Sequence, residues 1–167
     1  MKSKFRIIIL ILSLLLLQGC SYEKPDYIHF QKKPSLQYYT NEIMSKILNN
    51  EYYSLEIYDK NVSKIIKIDD SEKIIIADFI NNLTNDSYLK TIDNSEIETE
   101  VYQLRIKFKN SNNKYIINIY NDETITIFPW DGIFNEDYIS MKNVPARYNL
   151  FNFCNYVKER IYLNQWS

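Results

Sequence analysis

Glycine and histidine are nearly absent from this chain: 167 residues contain two glycines and one histidine, with four prolines and two cysteines. The lone histidine, His29, stands between Ile28 and Phe30 without partners at a fixed spacing, which leaves no histidine-based metal site or general base. No Ser-centred nucleophile elbow occurs, and no cofactor motif is present. No apolar run is long enough to span a membrane: the longest, Ile7 to Leu17, is broken by Ser13 and falls short of the ~20 residues a helix needs. No excess of positive charge exists either, since 20 basic residues face 21 acidic ones, so nucleic acid is not an expected partner.

What is present begins with an export signal. Lys2, Lys4 and Arg6 form a basic start without one acid, Ile7 to Leu17 follows as the apolar segment, and Leu17-Gln18-Gly19-Cys20 closes it. Gly19 is small enough to sit beside a scissile bond, and Cys20 supplies a thiol for lipid. Residues 1–19 therefore read as a lipoprotein signal peptide, cleaved between Gly19 and Cys20. Acylation of Cys20 by palmitate or a similar chain would then hold the protein at the outer face of the cytoplasmic membrane, since two chains anchor where one does not. Cleavage removes three basic residues and takes the net charge from −1 to about −4.

With Cys20 committed to lipid, Cys154 has no partner and no intrachain disulfide is expected. Cys154 lies on the stripe Leu150, Cys154, Val157, Ile161 at helical spacing, where a cysteine acts as a small hydrophobe. Residues 20–51 read as a lipidated tether, polar around Pro25, Lys32, Lys33 and Pro34, with room for one short helix where Ile43, Ile47 and Leu48 recur. Residues 52–167 read as a single domain.

In that domain Tyr53, Leu55 and Ile57 alternate with polar neighbours as a half-buried strand, and Lys64 to Ile68 makes a second. Asp69, Asp70, Ser71 and Glu72 are expected to cap a helix over 72–83. Their spacing fails the calcium-loop pattern, and no metal site is expected. Tyr102 to Phe108, Tyr115 to Tyr120 and Thr124 to Phe128 alternate strictly across Asn-rich turns, and Tyr138 to Met141 follows as a fourth strand. One face is apolar; the other carries Arg105, Lys107, Asn118, Tyr120, Thr124, Thr126 and Phe128, so a sheet with one wet face is expected. Asn143-Val144-Pro145 starts a closing helix to about Leu163, with Lys158 and Arg160 near its end.

Between the last two strands lies Phe128-Pro129-Trp130-Asp131-Gly132-Ile133-Phe134. Pro129 cannot donate to a ladder and Gly132 frees the backbone, so both read as a structural corner. Tyr120, Phe128, Trp130 and Phe134 are the candidate recognition residues; the alternative places these aromatics in the core. Adjacent Glu136 and Asp137 are the nearest thing to a carboxylate pair for glycoside chemistry, yet adjacent loop carboxylates are ordinarily just solvated.

The lipobox, the strand and helix, the meander, the Pro129-Trp130-x-Gly132-Ile133-Phe134 corner and the closing helix together resemble the small predicted lipoproteins of Firmicutes, of clostridial type, that carry a domain of unknown function. That resemblance implies a location rather than an activity. The expected fold is α+β, an antiparallel meander with helices on one face in the order strands, helix, four strands, helix, similar to the topology of TATA-binding protein. The expected function is a non-catalytic binding or accessory module without a cofactor, attached to the membrane by its lipid and recognising a protein or small ligand. An inhibitor or immunity-type protein is the alternative, and a cell-envelope hydrolase has less support, with no catalytic residue identified.

Overall fold

The computed structural model describes residues 32–92, 99–130 and 132–164. Gly19, Cys20 and His29, with the whole expected signal peptide, lie outside the described residues. The described elements are α1 (Tyr38–Leu48), β1 (Tyr53–Asp59), β2 (Lys64–Lys67), α2 (Ile75–Asn81), β3 (Tyr88–Leu89), β4 (Tyr102–Phe108), β5 (Lys114–Ile119), β6 (Thr124–Pro129), β7 (Asp137–Ser140) and α3 (Leu150–Asn164). The strands form one sheet in the order β2-β1-β4-β5-β6-β7-β3, antiparallel at every pairing. Among the described residues the fold is therefore α+β, a seven-stranded antiparallel sheet with three helices.

Alternation sets which face each strand buries. Leu55 and Ile57, Leu104 and Ile106, Ile117 and Ile119, Ile125 and Ile127, and Ile139 all reach one core, where they meet Ile43 of α1, Ile76 and Phe79 of α2, and Leu150, Cys154 and Val157 of α3. All three helices thus cover the same side of the sheet. Asn-rich turns join the strands as their chemistry favours. Asn112 adopts a left-handed φ of 54° between β4 and β5, and Asn121 Oδ1 accepts the N–H groups of Glu123 and Thr124, both at 2.8 Å, before β6.

Five expectations are corrected. First, the short helix expected in the tether packs into the core, where Tyr39 and Ile43 are buried. The element order therefore opens on a helix. Second, five strands rather than four follow α2, because the two-residue β3 pairs with β7 and becomes the edge of the sheet. Third, the acidic cluster does not cap α2. Ile74 occupies that position without a side-chain cap, and the acids serve elsewhere, Asp70 against Lys73 and Glu72 against Arg160. Fourth, α3 begins only at Leu150, because Pro145 opens a short 3-10 turn and Asn149 caps the helix, its Oδ1 accepting the Phe151 N–H at 3.0 Å. Fifth, Lys158 and Arg160 make tertiary ion pairs, to Asp59 at 2.7 Å and Glu72 at 2.6 Å, rather than end-of-helix dipole contacts.

The face away from the helices is less wet than its polar sequence suggests. Ile116, Asn118, Thr124 and Thr126 are buried there. Part of the cover is a hydrogen-bonded chain across three strands. Tyr58 stacks beneath the Arg105 guanidinium at 4.5 Å, Arg105 Nη2 donates to Gln103 Oε1 at 3.0 Å, and Gln103 Nε2 donates to Asn118 Oδ1 at 3.1 Å.

Candidate functional site: a basic groove on the open sheet face

Two adjacent rungs of the sheet build a groove of about 340 Å³ on this open face. One rung aligns Ser54, Lys107 and Lys114, and the next aligns Glu56, Arg105 and Ile116, across β1, β4 and β5. Trp130 stands at one wall. Its backbone N–H donates to the Lys114 carbonyl at 2.9 Å, which extends the β5–β6 ladder one residue past Pro129 and fixes the ring beside Lys114.

The corner that carries Trp130 is clamped from the helix side. The buried Tyr39 hydroxyl accepts the Phe134 N–H at 2.9 Å and donates to the Phe134 carbonyl at 3.1 Å. Burial is the main cause that raises this phenol above its ordinary range. Gly132 has no left-handed φ, so it is not there for backbone freedom. A Cβ at that position would lie 3.2 Å from Pro129 Cγ and 3.3 Å from Tyr39 Oη, so close approach is the reason for glycine.

A buried ion pair holds the start of the fold against the same corner. The Asp137 carboxylate has no exposed surface. Its Oδ2 accepts the Thr40 N–H and hydroxyl, both at 2.7 Å, which caps α1 from a distant strand. Lys33 Nζ lies 2.5 Å from Oδ1 and donates to the Glu136 carbonyl at 2.8 Å. Asp137 is thus fully engaged by Lys33 and Thr40 rather than solvated beside Glu136.

The four candidate recognition residues do not converge. Trp130 is 68% exposed and lines the groove. Phe128 is half-buried opposite Ile116 on the same face. Tyr120 is also half-buried, just past the end of β5 and four residues beyond Ile116, or about 13 Å away at strand spacing. Burial is the main cause that raises its hydroxyl. Phe134 packs on the helix side, its ring edge-on to Tyr38 at 5.2 Å. Pro129 ends β6 opposite Tyr115, and Gly132 lies against its ring. The groove residues missing from that set are Ser54, Glu56, Arg105, Lys107 and Lys114, which lie on separate strands and meet only through the register.

Cys154 is fully buried, and burial, aided by nearby Asp59, pushes its thiol up, away from the reactive thiolate. Among the described residues no group of acids, histidines and cysteines is placed to hold a metal ion. No described helix is long and apolar enough to cross a membrane.

No curated protein matches this chain. The chain is similar to the crystal structure of a predicted lipoprotein from Clostridium perfringens, with 28% identity and a TM-score of 0.67 over 77% of this chain and 99% of that one. Residues 33–154, from the lysine that pairs with Asp137 to the buried cysteine of α3, match the family described as a domain of unknown function, DUF4883, and the chain belongs to that family.

Proposed function

We propose that the protein is a non-catalytic binding module, tethered by lipid on Cys20 to the outer face of the cytoplasmic membrane, that presents the open face of its sheet to a ligand. The observation that carries this reading is the groove itself: an exposed tryptophan and three cations gathered by the register on the face that none of the described helices covers. Anchoring draws support from the lipobox at Leu17 to Cys20 and from the likeness to a predicted clostridial lipoprotein.

The chemistry of the buried groups favours binding over catalysis. Asp59 and Asp137, the fully buried carboxylates among the described residues, each face a lysine, and burial pushes the Cys154 thiol up. Any likeness to the saddle of TATA-binding protein is one of shape, because a mature charge of about −4 opposes DNA.

The test is the Cys20→Ala protein followed by fractionation and by labelling with palmitate. Release from the membrane fraction, or retention of the unprocessed precursor, with loss of label is the expected result. Unchanged membrane retention and unchanged mass would refute the anchor.

A further inference from the structure

We infer that the groove beside Trp130 binds a polyol phosphate ester, with the phosphate on Arg105, Lys107 and Lys114 and the polyol against Trp130. The inference deepens the reading of the open face as a binding surface and rests on it.

The charge pattern is the first ground. The chain is acidic once processed, and seven of the thirteen described cations outside the groove lie within ion-pair distance of a carboxylate. Arg105, Lys107 and Lys114 enter no such pair among the described residues, although they occupy neighbouring rungs of one face. Three unmatched cations at strand spacing, about 5–7 Å apart, suit an anion that several donors can share.

The second ground is the preparation of Arg105. Tyr58 supports its guanidinium from one side and Gln103 takes one Nη2 hydrogen, so the plane is fixed before any ligand arrives. Its Nε is buried with no hydrogen-bond partner. A buried guanidinium N–H without an acceptor is costly, and an anion against the accessible part of the half-buried guanidinium would offset that cost. The planar fork matches two oxygens of a phosphate better than a lysine can.

The remaining lining chooses the rest of the ligand. Glu56 would repel a second anionic group but accepts hydroxyl hydrogens, and Ser54 can donate or accept. The exposed Trp130 ring offers a face to C–H groups. A volume of about 340 Å³ admits a small head rather than an extended chain. A phospholipid headgroup and a free polyol phosphate both have this chemistry.

The test uses the full chain in nonionic detergent with Trp166→Phe, which leaves Trp130 as the only tryptophan of the two. Glycerol 1-phosphate, or micelles doped with phosphatidylglycerol, should shift Trp130 emission saturably, and glycerol alone should not. Response to the soluble ester identifies a free polyol phosphate as sufficient; response to the doped micelles alone identifies the lipid headgroup. Lys107→Gln with Lys114→Gln, both exposed positions, should weaken the response about tenfold, and salt should weaken it further. Glu56→Gln should tighten it, a gain that a folding defect cannot mimic. No saturable shift with either phosphate source, an equal shift with glycerol, or an undiminished response in the double variant would overturn the inference. Those results leave Cys20 acylation untouched, so the two readings fail separately.

Discussion

Replacing Lys33 by Met should destabilise the fold more than replacing its partner Asp137 by Asn, by about 3 kcal/mol against about 1 kcal/mol. The asymmetry follows from exposure. Asp137 is 0% exposed, whereas Lys33 retains 15%. In Lys33→Met the carboxylate stays buried with Oδ1 facing no cation, and breaking a buried pair from one side costs about 3–5 kcal/mol. The lower end applies, because Thr40 still donates twice to Oδ2 and the positive end of α1 still faces the charge. In Asp137→Asn the amide oxygen can keep the Thr40 N–H. Lys33 can keep the Glu136 carbonyl or turn outward to water, so only the charge-assisted part is lost. Guanidinium unfolding with a common slope measures both losses as shifts in midpoint. If Asp137→Asn costs as much as Lys33→Met, the buried carboxylate is not what Lys33 neutralises and the assignment fails.

Alkaline pH should unfold the protein between pH 10 and 12. Burial pushes the Tyr53 and Tyr88 hydroxyls up to about 12 from 10.0. The unfolded chain therefore releases these protons first, so their contribution is complete below pH 10 and is lost as pH rises through 12. Tyr53→Phe should flatten that decline, and an unchanged slope of stability against pH would contradict it. In a Cys20→Ala background, Cys154 should react with a thiol reagent only as the protein unfolds, and Cys154→Ser should cost about 2 kcal/mol by burying a hydroxyl. Reaction at the native rate of an exposed thiol would refute the burial. Gly132→Ala should cost about 1 kcal/mol and move Trp130, since the new methyl meets the Pro129 ring and Tyr39. Wild-type stability with wild-type Trp130 emission would mean that the corner has slack.

The sheet's centre was legible because β4, β5 and β6 alternate without a break and Asn-rich turns separate them. Cys154 was legible for the same kind of reason, a helical stripe whose Leu150, Cys154 and Val157 are buried and whose Ile161 packs partly buried against the core. What escaped depends on contacts distant in sequence. α1 has the right spacing of Ile43 and Ile47, but its place in the core comes from Tyr39 on Phe134 and Thr40 on Asp137, almost a hundred residues away. β3 is two residues long, too short for any period to show. The aromatic corner read as one unit because its residues are neighbours in the chain, yet the turn at Gly132 sends Trp130 to the open face and Phe134 to the helix side. The groove has the opposite history. Its residues are scattered over positions 54 to 130, each an ordinary polar position on a strand, and only the pairing of β1, β4 and β5 shows that Arg105, Lys107 and Lys114 share one surface.

That surface is best tested in the native membrane, with a photocrosslinking residue placed in turn at Trp130 and at Tyr156. Both side chains are exposed, 68% and 57%, but Trp130 lines the groove and Tyr156 lies on α3, across the sheet. Binding through the open face predicts a discrete adduct from position 130 that the Lys107→Gln, Lys114→Gln variant loses, and none from position 156. Adducts from position 156 alone, or equally from both, would show that the helix side or no particular face meets the ligand.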